Sequence, residues 1–486
     1  MILTVAVGLC ILYIIYSWFT MKPKNFPPGP ACLPFIGSVL SLPTKHMHLR
    51  MEHWRKEYGP LAGFMIGSNP FVAVCEPSLV LEVLRREEFQ SRPDTFILRT
   101  RSFNKRLGIF FSDGKFWTEQ RRFTLRHLRE FGFGKSSEEA IMLDEISHLI
   151  KKLESSKIVS ISNLFNLPVV NVLWKTLAGT RIAHDDDEFN KLIEIVFEVM
   201  RSGNPAGGII NVMPFLRHVF PNIGAYKTST DAVKDLHHYF KEIISEHEKT
   251  LDSDNPRDFI DVYLREKQLQ KNVEDTTFTD EALMVTMLDL FFAGVESTAN
   301  SLSFTLMYML LHPEVQSKVH EELDRVVGRD RPVCLADKPS LPYVEAVLAE
   351  TARCNTIAPL AAPHRADRDT HLGGHFIPKD TMLMLSLWSL LQDEAHWGDP
   401  RSFRPERHLD ADGRLRKDDW LLVFGAGKRV CVGESLARNS LFVFFANLAQ
   451  RFSFQLPPGE PRPSNLALPG FTTAPQPFNL LIRPRE

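Results

Sequence analysis

One long apolar run, from Asp280 to the residue before Pro313, limits what this chain can fold into. Thr279 stands where a helix N-cap is wanted, and Asp280 and Glu281 put negative charge in the first turn. Pro313 cannot continue a helix. As one helix the run is on the order of 45–50 Å long, enough to cross a large domain. It is apolar on most sides, which admits a membrane span or a central core helix. Asp289, Gly294, Glu296 and Asn300 interrupt it, which favours a helix buried at the centre of a mainly α fold.

The 486 residues are 44% hydrophobic and 24% charged, a globular composition with length for a large core. Length alone suggests about three domains of ~150 residues. No linker divides the chain, so residues 31–486 are expected to form one catalytic domain. A net charge of −2 argues against nucleic acid as the main partner. Cys10, Cys32, Cys75, Cys334, Cys354 and Cys431 form no CxxC pair and are irregularly spaced. That is neither a disulfide framework nor a zinc site, and it fits a reduced, cytosol-facing protein.

Met1 to Phe19 are apolar except for Thr4 and Ser17, long enough for a membrane helix of ~20 residues. A secretory signal is the competing reading, but no basic residue precedes the run and no small-residue cleavage site follows it. Lys22 and Lys24 place the rest of the chain in the cytosol, and Pro27-Pro28-Gly29-Pro30 makes a stiff hinge. The expectation is an anchor over 1–21, a hinge over 22–30, and attachment to the endoplasmic reticulum. Further on, the turn Gly67-Ser68-Asn69-Pro70 precedes a strand at Phe71–Val74. Ser136 and Glu139 read as a capping box. Residues 184–188 read as an acidic turn, and residues 252–256 as an exposed loop. The stretch Met213–Pro221 is apolar with basic insertions, and membrane contact and core packing stand equal there.

The stretch Phe424-Gly425-Ala426-Gly427-Lys428-Arg429-Val430-Cys431-Val432-Gly433 reads as a loop that carries one thiolate to a helix beginning near Glu434. A helix N-terminus lowers a cysteine's pKa. Gly427 and Gly433 let backbone lie close to a flat cofactor, Phe424 offers an aromatic face, and Arg429 can neutralise an acidic group. A lone cysteine is more often a core residue. Ala293-Gly294-Val295-Glu296-Ser297-Thr298 places a glycine, an acid and two hydroxyls mid-helix. Gly294 could give oxygen room, and Glu296, Ser297 and Thr298 could relay protons. A kinked core helix with back-bonded hydroxyls is the alternative. Glu350 and Arg353 share a helix face, a pair that is usually solvated and weak.

The spacing Phe-x-x-Gly-x-Arg-x-Cys-x-Gly resembles the haem-binding loop of the cytochrome P450 monooxygenases at every defining position. The helix segment resembles the family's oxygen-binding signature, with Ser297 where threonine is usual. The resemblance covers the chain from anchor to tail. It implies a mainly α fold, a helical triangular prism with a small β-rich lobe plus an N-terminal transmembrane anchor. It implies haem b with Cys431 as the axial metal ligand, and NADPH and O2 as co-substrates. Trp117 and Arg121, in a WxxxR pattern, would meet one propionate, with His364 near another. Glu350, Arg353 and Arg407 would form a structural triad. Ile109, Phe110, Leu290, Phe291, Ala293, Leu360, Ala361 and Phe471 would line an apolar pocket for a lipophilic substrate. Implied partners are NADPH-cytochrome P450 reductase, with cytochrome b5 as an optional second donor. The reductase would dock on a basic patch of Lys115, Arg122, Arg126, Arg129 and Lys428. The runs Arg99–Gly108, Arg121–Arg129 and His396–Pro400 resemble insect members of the large microsomal clan. The group most like this chain contains the juvenile hormone epoxidases, which act on farnesoic acid or methyl farnesoate. An acid substrate would want a cation, with Arg99, Arg101 and Arg201 as candidates. An ecdysteroid or xenobiotic hydroxylase, and a non-catalytic haem sensor or electron carrier, are the alternatives.

Overall fold

The computed structural model of the protein describes residues 22–43, 45–132, 136–183, 186–202, 208–211 and 213–485. The expected anchor, 1–21, lies outside the described residues, as do His184 and Asp185 of the expected acidic turn. Helices dominate. The ones that position the site are α1 (Gly114–Glu130), α2 (Asn166–Ala178), α3 (Asp187–Ser202), α4 (Tyr226–Thr250), α5 (Asp280–Leu311), α6 (Pro342–Cys354) and α7 (Glu434–Arg451).

The long apolar run is a single helix, α5, of 32 residues. Thr279 caps it by accepting the N–H of Ala282 at 3.1 Å. By length and composition it could cross a membrane, but most of it is buried in the core. Its N-terminal half, with Leu283, Met287 and Phe291, packs among α2, α3 and α4. Its C-terminal half, with Leu302, Phe304 and Met307, packs against Phe442–Phe445 of α7. One helix thus threads two cores, which accounts for apolar residues on every side of it.

The β lobe is small. β1 (Leu61–Ile66) and β2 (Asn69–Val74) form an antiparallel hairpin at the expected turn. β3 (Ile158–Ser160) pairs far along the chain with the last strand. β4 (His364–Arg365), the hairpin β5 (Thr370–Leu372) and β6 (His375–Ile377), and β7 (Met382–Leu385) follow. The first sheet has the order β1-β2-β7-β4, with β2 and β7 parallel. β8 (Phe452–Gln455) and β9 (Asn479–Pro484) complete a second sheet, β3-β9-β8. The hinge is docked on this lobe: a Cβ on Gly29 would lie 2.2 Å from the carbonyl oxygen of Gly63, so backbone meets backbone. Lys22 donates to that same carbonyl at 3.0 Å.

Two local expectations change. The helix that was to be capped by Ser136 starts at Ser136, whose side chain lies outside the described residues. Glu139 instead accepts the backbone N–H of Leu335. In the stretch after residue 213, Phe215, Val219 and Phe220 are about 60% exposed (61%, 62% and 59%), so core packing is lost there.

Behind the cysteine loop, Glu350 is fully buried and holds four nitrogen-bearing partners besides the Cys354 thiol. Arg353 donates to it at 2.8 and 2.9 Å, and Arg407, His408 and the backbone N–H of Arg404 each at 2.9 Å. Arg353 also donates to the carbonyls of Leu391 and Pro400. The pair is therefore not a solvated surface pair. Burial alone would raise the Glu350 carboxyl, but Arg353 and His408 outweigh it and hold it at about 2. A carboxylate depressed on folding stabilises the protein above its unfolded pKa and loses that effect as pH falls through the folded value. Glu350→Gln is expected to lower stability at neutral pH by about 3–5 kcal/mol, since it leaves buried guanidinium groups unmatched. It should also flatten the loss of stability between pH 4.5 and about 2, measured by circular dichroism during acid titration.

Candidate active site

The cysteine loop is a tight backbone turn ahead of α7. Cys431 donates its backbone N–H to the carbonyl of Phe424 at 3.0 Å. Gly433 is the N-cap residue of α7, and a Cβ there would lie 4.0 Å from Cys431 Sγ. Gly427 has a different reason for being glycine. Its φ is +71°, and a Cβ would lie 2.1 Å from the carbonyl oxygen of Leu84. It packs against the helix ending at Arg85.

Cys431 and Phe424 line a cavity of about 1450 Å³. Cys431 is exposed to that cavity, while the dense protein around it pushes its thiol up. A backbone hydrogen bond from Gly433 and the charge of Arg121 act the other way. The volume exceeds the ~300–1,000 Å³ of an ordinary ligand pocket, leaving space for a flat cofactor and a substrate together.

Beside the loop, three guanidinium groups and a histidine converge. Arg429 donates to the carbonyls of Gln90 and Ser112, both at 2.8 Å, and its Nη1 is buried with no partner. Burial first, and Arg92 next, pull it down to about 8. Arg92 donates to the carbonyls of Phe110, Ala362 and Pro363, and burial followed by Arg121 pulls it down to about 9. Arg121 reaches the carbonyl of Val430 at 2.5 Å. His364 is buried, bound through Nδ1 to the carbonyl of Phe89 at 2.7 Å, and held well below its ordinary value by burial and Arg92. The carboxylate among them, Asp113, is shared with Arg106 and Arg365. Cations that depress one another, with an orphaned N–H, are chemistry suited to an anionic group. This donor set fits haem b, whose propionates supply negative charge and whose iron takes a thiolate.

Arg92 is a residue the sequence did not reveal, because an isolated arginine before Pro93 carries no local signal. Trp117 lies under the Arg429 guanidinium. Its indole N–H donates to the carbonyl of Ile109 at 3.1 Å, it does not line the cavity, and its ring lies 3.7 Å from the Arg429 guanidinium. It supports Arg429 from behind.

The face of α5 towards the cavity carries Leu290, Ala293, Gly294, Ser297, Thr298 and Ser301, the spacing of one helical stripe. Phe291 lies on another face, packed on Trp174, Phe189 and Phe240, and is corrected from pocket to core; Phe292 lines the cavity instead. Gly294 is also explained by packing: the space its absent side chain leaves is filled by Leu173, whose Cδ2 would lie 2.5 Å from a Cβ. Ser297 donates its hydroxyl to the carbonyl of Ala293 at 2.8 Å, the back-bonded arrangement. Glu296 is fully buried and does not line the cavity. One of its oxygens accepts from Thr472, which does line the cavity; the other has no partner, and burial raises the carboxyl to about 7.

Ile109, Phe110, Leu360, Ala361 and Phe471 line the cavity. Asp289, which interrupts the apolar run, accepts the N–H groups of Ile109 at 2.7 Å and Phe110 at 2.9 Å and so ties that loop to α5.

The family model described as Cytochrome P450 matches residues 27–482. "Farnesoate epoxidase" of Bombyx mori is 37% identical over 490 residues, covering 99% of each chain. "Cytochrome P450 2J3" of Rattus norvegicus is 37% identical over 444 residues, covering 90% of this chain and 88% of its own. "Cytochrome P450 2C5" of Oryctolagus cuniculus is 36% identical, covering 99% of each.

Two substitutions separate ligation from retention. Cys431→His should abolish the thiolate signature of the reduced, carbon-monoxide-bound spectrum. Arg92→Ala should keep that signature but lower the haem content of the purified protein, read from the Soret-to-280-nm absorbance ratio of the preparation relative to the parent.

Proposed function

The chain belongs to the cytochrome P450 family and is a haem-thiolate monooxygenase, and from that premise we propose that it epoxidises a farnesoid, farnesoic acid or methyl farnesoate, at a terminal double bond. The observation that carries this reading is full-length similarity to the Bombyx mori "Farnesoate epoxidase", joined to a cavity walled by Phe110, Phe292 and Phe471. Aromatic faces pack along an isoprenoid chain. Leu360, Ala361 and Ala362 are small enough to let a slim chain end approach the iron that Cys431 would hold.

When bound, the haem supplies reductive activation of O2, and its thiolate favours O–O cleavage. In this reading Cys431 holds the iron, and Arg92, Arg121, Arg429 and His364 hold the propionates. Glu296 holds a proton near neutral pH and passes it through Thr472 towards the cavity, with Ser297 and Thr298 as hydroxyls on the α5 face. Residues 1–21 anchor the enzyme to the endoplasmic reticulum with residues 31–486 in the cytosol. The exposed Phe215, Val219 and Phe220 make a second membrane contact.

The reductase docks on the exposed face of α1. Lys115, Arg122 and Arg129 are exposed there, while Arg126 pairs with Glu130 at 3.1 Å and Lys428 with Glu87 at 2.5 Å. The partner carboxylates offset the charge of Arg126 and Lys428, so Lys115, Arg122 and Arg129 carry the positive field of this face.

Purified enzyme with reductase, NADPH and each farnesoid should yield the epoxide, identified by mass spectrometry. No epoxide from either, alongside steroid hydroxylation by the same preparation, would refute the substrate assignment. Charge reversal at Arg122 and Arg126 should raise the reductase concentration needed for half-maximal turnover, more so at low salt because exposed charges are screened. An unchanged titration with intact haem would remove the docking assignment.

A further inference from the structure

Away from the cysteine loop, the same cavity has a polar corner lined by Arg101, Phe103, Lys234, His237 and Asp289. Asp289 is 5% exposed and its oxygens are engaged: Oδ1 by Arg101 at 2.5 Å, Oδ2 by the two amides of the loop. Gly108 permits this approach, since a Cβ there would lie 2.2 Å from Oδ2. Arg101 is therefore a guanidinium whose charge is matched. Its remaining N–H groups have no hydrogen-bond partner among the described residues. Lys234 pairs with Asp231 at 3.3 Å.

His237, on α4, stacks its ring on Phe103 with centroids 4.5 Å apart. Its Nε2 is buried and has no hydrogen-bond partner. Burial, and after it the charge of Arg101, hold the imidazole down to about 4, so it is neutral at pH 7 and can donate from Nε2. A buried ring nitrogen without a partner is unfavourable unless something else binds it. None of the roles above uses it.

We infer that this corner is a substrate subsite in which Arg101 and His237 donate to an uncharged oxygen, a carbonyl or a hydroxyl, of the lipophilic substrate. The inference rests on the proposed reading that the cavity holds an oxygen-bearing lipophile. An uncharged oxygen suits the site better than a carboxylate. Asp289 already balances Arg101, so a second carboxylate would add an unmatched charge where desolvation is costly. Asp289 precedes Gly294 by five residues and Ser297 by eight, roughly 8–12 Å along the helix axis. An oxygen held at this corner leaves the rest of a slim substrate to extend along the α5 stripe. Arg101 and His237 are thus specificity-determining residues that position the substrate and take no part in the oxygen chemistry.

The test is binding of five probes to the full-length holoenzyme, read as the spectral shift on titration: methyl farnesoate against β-farnesene, progesterone against pregnane, and farnesoic acid against its methyl ester. The parent protein should bind the oxygen-bearing member of a pair on the order of tenfold more tightly than its hydrocarbon. His237→Phe preserves the ring stack on Phe103. It should bring that ratio close to one without changing the affinity for the hydrocarbon, and His237→Gln should restore part of it. Three results would overturn the subsite: no oxygen preference in the parent for either pair, a ratio unchanged in His237→Phe, or an equal loss of hydrocarbon binding in that variant. Tighter binding of farnesoic acid than of its methyl ester would replace it with a carboxylate site. An intact progesterone preference that depends on His237, with no epoxide from either farnesoid, would refute the substrate assignment and leave the subsite standing.

Discussion

Burial of α5 on every side but the stripe that faces the cavity is the constraint on which the rest depends. A helix apolar around most of its circumference must be enclosed by other elements. Here α2, α3 and α4 enclose its first half and α7 its second. The same enclosure forces close approaches, such as Leu173 against Gly294. It also makes every polar residue on α5 conspicuous. Asp289 ties down the loop of Ile109 and Phe110, Glu296 meets Thr472, and Asn300 donates to the carbonyl of Thr473 at 3.1 Å. The polar interruptions of the apolar run are the points where α5 is fastened to the loops that roof the cavity.

The second organising feature is an imbalance of charge. Arg92, Arg121 and Arg429 are drawn together beside Cys431 with little negative charge among them; burial lowers all three, and neighbouring guanidinium charge lowers Arg92 and Arg429 further. Backbone carbonyls hold these groups in place, as with Gln90, Ser112 and Val430. Such an arrangement is stabilised when a bound anion completes it. The Glu350 network is the opposite case, with its charges matched inside the protein and a carboxylate held far below its usual range. One cluster is built for the fold and the other for a ligand.

Local sequence made visible those features that depend on neighbours in the chain. The cap at Thr279, the stop at Pro313, the cysteine loop and the Glu350–Arg353 face all depend on short spacings, and all appear where the spacing puts them. His408 and Arg92 were not visible, because each acts on groups far away in sequence. Phe291 was misplaced for a related reason. An apolar residue in an apolar helix gives no sign of its direction, and about 100° of rotation per residue separates Phe291 in the core from Phe292 at the cavity.

The sequence by itself determined the family, the central helix and the thiolate loop, because helix periodicity and motif spacing are encoded over a few turns of chain. Only the tertiary structure decided which side chains face the cavity and why particular residues are small. Gly427 answers to a carbonyl on a helix more than three hundred residues earlier, and Gly294 to Leu173 on α2. The polar corner of Arg101, His237 and Asp289 was likewise decided only there, since it joins three segments whose proximity depends on packing around α5. Long-range contacts of this kind arise from the fit of enclosed surfaces, which no local pattern records.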